Sequence, residues 1–291
     1  MSMQTKNIEA DLSGRVAIVT GANRGMGQET ARELAGMGCT VLLACRSKER
    51  GEVAAQDINK TARGNALAME LDLSSLASVR GFASAFNHRF PTLDVLVNNA
   101  AVSLRTREVT ADGFETHWAT NVLGPQLLTQ LLLPALEASG HGRIVTVSTV
   151  AAGGLDLSDT QYQRRRYSGL GAYRASKQAT RMLNAALADR LDATRVTANA
   201  LNPAYVLTEL TTNVGGLMKA LVLATRFTAV TPREGADTAI WLAASPEVNG
   251  LTGRFWNKRH ETRCRFREPR AIEELWTLVE QQLANVDSGA G

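Results

Sequence analysis

At 291 residues the chain has room for one large domain or two small ones, and 44% hydrophobic with 21% charged residues is ordinary for a folded globular protein. A net charge of +4 is too small for a nucleic-acid footprint. Cys39, Cys45 and Cys264 form no disulfide framework, His88, His117, His141 and His260 form no metal motif, and no apolar run is long enough to span a bilayer. The polar stretch from Met1 to Asp11 lacks the apolar centre of a signal peptide, so a cytoplasmic location is expected.

Arg15–Thr20 is a β-branched run that stops at Gly21-Ala22-Asn23-Arg24-Gly25-Met26-Gly27, and a helical pattern carrying Leu34 and Met37 on one side follows. Strand, glycine turn, helix is the context in which a diphosphate meets bare backbone and a helix N-terminus. The alternation continues with strands at 40–45, 66–71, 93–98, 143–148 and 196–201, and a seventh at 253–256. Between them lie helices at 48–60, 75–89, a long stretch 112–139 broken near Gly124-Pro125, and a helix around Ala175–Leu191. No linker or internal repeat interrupts this rhythm, which predicts one α/β domain with a doubly wound, Rossmann-type parallel sheet of about seven strands. Gly21–Gly27, Arg46, Asp72, Asn98, Ser148 and Asn202-Pro203 all follow the ends of predicted strands, where such sheets hold ligands.

Tyr173 and Lys177 stand four residues apart on one helix face. An ammonium one turn away favours the phenolate, which would suit the tyrosine for acid–base work. Alone, the pair reads better as a surface lysine over a buried ring, since the two meet at this spacing in many helices by chance.

The ordered set Thr20-Gly21-x-x-x-Gly25-x-Gly27, Asn98-Asn99-Ala100, Asn121, Ser148, Tyr173-x-x-x-Lys177 and Asn202-Pro203 resembles the short-chain dehydrogenase/reductase family over about 12–256. Leu43-Ala44-Cys45-Arg46, the long 149–172 loop and Tyr167-Ser168-Gly169-Leu170-Gly171-Ala172-Tyr173 are similar to the branch of retinol dehydrogenases and WW-domain oxidoreductases. Ala101 and Ala204 depart from the pattern, each standing where the family usually has glycine.

The resemblance implies a core over 12–257, a substrate lid at about 204–228 and a C-terminal tail at 258–291. It implies a proton-transferring Tyr173, Lys177 lowering its pKa, Ser148 orienting the substrate carbonyl with Thr149 as a rival hydroxyl, and Asn121 holding a water that links Lys177 to solvent. For the cofactor it implies Gly21, Asn23, Arg24, Gly25, Met26, Gly27, Arg46, Asp72, Leu73, Asn98, Ala100, Pro203, Val206 and Thr208, together with Tyr173 and Lys177. No metal is implied. Cys45-Arg46 at the end of the second strand, with Arg24, is expected to favour NADP(H) over NAD(H), because arginine forks suit a phosphate and no carboxylate is present to take the ribose.

The apolar character of the lid points to a lipophilic or bulky ketone or secondary alcohol. A ketoreductase of carrier-protein- or coenzyme A-bound intermediates is the alternative, with Arg164-Arg165-Arg166 and the basic run Arg254–Arg270 as the docking surface for an acidic carrier. A non-catalytic dinucleotide sensor would not need the proton-relay residues. A homodimer or homotetramer is expected through the helices that begin near Asp112 and Ala172.

Overall fold

Short apolar strands whose side chains alternate between two faces need a helical layer on each side, and the chain supplies both. The computed structural model describes residues 8–203 and 231–288. Strands β1 (Val16–Thr20), β2 (Thr40–Cys45), β3 (Asn65–Glu70), β4 (Val95–Asn98), β5 (Gly142–Val147), β6 (Val196–Asn202), β7 (Phe255–Asn257) and β8 (His260–Glu261) form an eight-stranded sheet in the order β3-β2-β1-β4-β5-β6-β7-β8. Every pairing is parallel except the last, which is antiparallel. The eighth strand is one more than the sequence indicates.

Helices α1 (Gly25–Gly36), α2 (Lys48–Asn59) and α6 (Pro232–Ala244) cover one face, where Val19, Val41, Val97 and Val145 meet Leu34, Ile58 and Leu242. Helices α3 (Leu76–Arg89), α4 (Gly124–Ala138), α5 (Gly169–Arg190) and α7 (Pro269–Ser288) cover the other, where Ile18, Leu96 and Ile144 meet Phe86, Leu128, Met182 and Leu275. Strand order reverses between β1 and β4, so a crevice opens beyond their carboxyl ends.

Three expectations are corrected. The long helix does not begin at Asp112. That carboxylate instead accepts from the Leu76 amide at 2.8 Å, and only a short turn (Thr116–Trp118) precedes a π turn over Ala119–Leu123. Pro125 has no N–H to give the Asn121 carbonyl, so the α-helical ladder cannot close there, and the Gly124 amide bonds Ala119 instead. Helix α5 starts earlier than the pattern indicates, at Gly169, because Ser168 caps it by accepting from the Gly171 amide. The tail is a packed element: α7 buries Ile272, Leu275, Val279 and Leu283. No helix among the described residues is long and apolar enough to cross a membrane, and no group of side chains there could hold a metal ion.

Candidate active site

The crevice is built from backbone first. Gly21 and Gly25 have positive φ (66° and 59°), which glycine adopts without strain. A Cβ on Gly27 would lie 2.5 Å from the Gly21 carbonyl oxygen, so the turn closes only around a bare backbone, whereas above Gly25 there is open space. Helices α2, α3, α5 and α6 each have a side chain accepting from their first-turn amides, but α1 has none and no acid in its first turn. Its amides and partial positive charge face a cleft of about 580 Å³ lined by Gly21, Asn23, Arg24, Gly25, Met26 and Gly27. Arg46, Asp72, Leu73 and Ala100 line the same cleft. An uncapped helix end and a glycine turn in one groove fit the diphosphate of a dinucleotide.

Not every expected cofactor residue is aimed there. Asn98 is buried, and its amide donates to the Thr129 hydroxyl of α4 at 3.1 Å, away from the cleft. Its neighbour Asn99, which the sequence reading did not assign, lines the cleft and donates to the Thr20 carbonyl at 2.8 Å. The Thr20 hydroxyl in turn accepts from the Asn99 and Ala100 amides at 3.0 Å each, tying β4 to β1. Arg50 is a further guanidinium on this cleft that the sequence reading left out. Asp72 lines the cleft while one carboxylate oxygen accepts from the Ser74 amide and hydroxyl, so its turn-forming and ligand-facing readings coexist. Pro203 ends the described β6 segment, whereas Val206, Thr208, Ala204 and the expected lid lie outside the described residues.

Tyr173 and Lys177 share a stripe of α5, with the ammonium 5.9 Å from the ring centre. Lys177 is 3% exposed, and its Nζ donates to the Val147 carbonyl at 2.8 Å. Burial pushes the Lys177 ammonium down to about 8 and pushes the Tyr173 phenol up. The expected lowering of the phenol by its neighbour is therefore outweighed by desolvation in the protein alone.

Asn121 falls inside the π turn, yet both of its amide hydrogens have partners, the Val102 carbonyl at 3.1 Å and the Ser176 hydroxyl at 3.0 Å. Its oxygen accepts from the Val102 amide at 2.8 Å. The side chain clamps the β4 exit to α5. Ser148 is 1% exposed and donates its hydroxyl to the Lys177 carbonyl at 2.9 Å. Thr149 is half-exposed at the strand end, its hydroxyl accepting from the Ala151 amide.

Beside this centre sits a buried cluster that the sequence reading missed. His117 Nε2 accepts from the Leu104 amide at 2.9 Å, which places the ring proton on Nδ1, where Glu115 accepts at 2.8 Å. The Tyr167 hydroxyl donates to the same carboxylate at 3.1 Å. Burial opposes its charge, but the bonds from His117 and the Trp118 amide hold the Glu115 carboxyl below the usual range. Two residues of the Arg164–Arg166 run tie down the loop they stand on. Arg165 stacks 3.9 Å from the Tyr162 ring centre and pairs with Asp159, and Arg164 donates to Ser158.

The sequence model of the short chain dehydrogenase family matches residues 15–216. The chain belongs to that family. Retinol dehydrogenase 12 of Mus musculus is 39% identical over 279 residues, covering 94% of this chain and 87% of its own. A Mycobacterium Paratuberculosis protein of uncharacterized function superposes with a TM-score of 0.77 at 31% identity, covering 98% of each chain. A gluconate 5-dehydrogenase from Burkholderia cenocepacia in complex with NADP and tartrate superposes with a TM-score of 0.68 at 26% identity, covering 85% of this chain and 94% of that one. Membership brings an oxidoreductase class with a nicotinamide nucleotide cofactor.

Proposed function

We propose that this short-chain dehydrogenase is NADP-dependent and moves a hydride between nicotinamide and the carbonyl or secondary alcohol of a lipophilic or bulky small molecule. The observation that carries this is that one chain joins Tyr173 and Lys177 on one stripe of α5 to a cleft lined by Arg24, Arg46 and Arg50. The bound cofactor supplies or accepts the hydride. The chain supplies everything else. A phenol raised by burial keeps its proton at neutral pH, which is the form a donor to a substrate carbonyl oxygen requires. Lys177, fixed to Val147, holds positive charge near that oxygen. We assign the orienting hydroxyl to Thr149, because the Ser148 proton is committed to the Lys177 carbonyl. A relative that acts on retinol supports the lipophilic side of the reading.

The test is turnover of graded ketones with NADPH and with NADH, followed by nicotinamide absorbance. Tyr173→Phe is expected to lose ~10²–10⁴-fold in rate while NADPH titrates as before. Cys45→Asp with Arg46→Ala is expected to move preference toward NADH, each lost charge-assisted bond costing ~1.5–3 kcal/mol of NADPH affinity. A near wild-type rate for Tyr173→Phe removes the catalytic assignment, and equal wild-type affinity for both nucleotides removes the arginine assignment.

A further inference from the structure

Helix α5 carries a third long side chain on the stripe of Tyr173 and Lys177. Arg181 lies one turn further along and is 3% exposed. Its guanidinium sits 3.6 Å from the ring centre of Phe255 and 4.9 Å from that of Phe266, and it reaches the Thr149 carbonyl at 3.4 Å. Its buried Nε has no acceptor, and no carboxylate pairs with Arg181 among the described residues. A buried guanidinium without a counter-charge is an unfavourable arrangement unless a ligand completes it.

Arg181 lines a cavity of about 660 Å³ that is also bounded by Val150, Phe255 and the segment 262–268. The basic run that looked uniform in the sequence divides here. Arg254 pairs with Glu261, Arg259 with Asp237 and Arg270 with Glu274. Arg263 and Arg265 line the cavity, and neither has an ion-pair partner among the described residues. The cavity's acid, Glu268, turns its carboxylate to the Arg270 and Ala271 amides at the start of α7. Arg267 donates to the Gly253 carbonyl. What remains is an excess of guanidinium around a partly apolar pocket.

The cavity shares no lining residue with the dinucleotide cleft, so the cofactor's own phosphates do not account for it. It adjoins the reacting end instead. Val150 follows Thr149 directly, and the Val150 amide is held by Asn202 at the end of β6.

We propose that this cavity binds an anionic group, a carboxylate or a phosphate, carried by an otherwise apolar substrate whose carbonyl lies toward Tyr173. The substrate part rests on the carbonyl-reductase reading above, whereas the anion site stands on the cavity alone. Forked guanidiniums suit both anions, and the aromatic and valine walls suit the hydrocarbon next to them.

The test uses the full chain presaturated with NADP and titrated calorimetrically with 4-phenylbutyrate, phenyl phosphate and the uncharged 4-phenylbutanamide. Arg263 and Arg265 are exposed, so Arg263→Gln with Arg265→Gln preserves the fold. Binding of either anion in preference to the amide, weakened at least tenfold in the double variant, is the expected result. The stronger anion identifies whether the substrate presents a carboxylate or a phosphate. Equal binding of the amide, or of either protein to the anions, overturns the site. In the kinetic arm, the ratio of kcat/KM for a keto acid to that for its methyl ester is expected to fall at least tenfold in the double variant. An unchanged ratio with active enzyme overturns the substrate part and leaves the hydride reading standing. Absence of turnover on both compounds overturns the hydride reading, while the titration still judges the cavity.

Discussion

Ser148 and Thr149 differ in where their hydroxyls can go. Ser148 donates into the backbone of α5 from a position 1% exposed, whereas the Thr149 hydroxyl lies half-exposed at the strand end. Thr149→Ala is therefore expected to lower kcat by ~10²-fold or more, the usual consequence of removing one donor from a developing oxyanion. Ser148→Ala is expected to lower stability by ~1 kcal/mol, with the smaller effect on kcat. The opposite ranking in steady-state kinetics would restore the serine. Lys177 gives a second residue-scale expectation. Its ammonium titrates near 8 in the folded chain against 10.5 ordinarily, so between these values the unfolded chain binds more protons and wild-type stability rises with pH. Below about 8 the full penalty of burying the charge is present, on the order of 3 kcal/mol, partly offset by the bond to Val147. Relative to Lys177→Met, the wild-type protein should gain stability from pH 8 to pH 10, as read by urea unfolding at both. A flat or falling difference would show that the ammonium is not desolvated.

At the scale of elements, α7 is a pillar of the fold. Leu275 and Val279 are fully buried against Met182, Leu183, Ala186 and Leu187 of α5, and Trp118 donates to Gln282. Leu275→Ala should cost ~2–5 kcal/mol, measured by denaturant unfolding, whereas a loosely laid helix would show less than about 1. The spacing of Ile272, Leu275, Val279 and Leu283 is helical in the sequence, but the preceding arginines drew that segment into a tail. The strands and the glycine turn were legible because each alternates or breaks locally. The inward turn of Asn98 and Ser148 has one cause, namely that strand alternation continues to the last residue and one beyond. Leu96 and Asn98 point toward α4, and Ile144 and Ser148 toward the α4–α5 layer, so their odd-numbered neighbours are the ones that reach the crevice side. The Glu115–His117–Tyr167 cluster depends on contacts across 50 or more residues, which no local pattern carries.

For the whole molecule, the position of α7 bears on assembly. The helices expected to form a dimer contact are α4 and α5, yet within one chain α7 packs on α5 and joins the same apolar cluster as Met182, Leu183 and Leu187. Arg190 pairs with Glu273 and stacks 4.3 Å from the Trp276 ring centre, and Gln130 of α4 bonds Glu280, so the cover is fixed at several points. A second copy could reach the same apolar face only by displacing α7 and exposing the leucine and valine side chains now buried under it. Each such side chain stabilises the folded chain by ~1.5–3 kcal/mol, and several together exceed what a modest dimer contact returns. The full chain is therefore expected to sediment as a monomer across micromolar concentrations. A chain ending at Glu268 would leave the α5 face uncovered and should self-associate or bind an apolar dye. A truncated chain that stays folded, monomeric and dye-free would show that α7 is not what keeps this face from a partner.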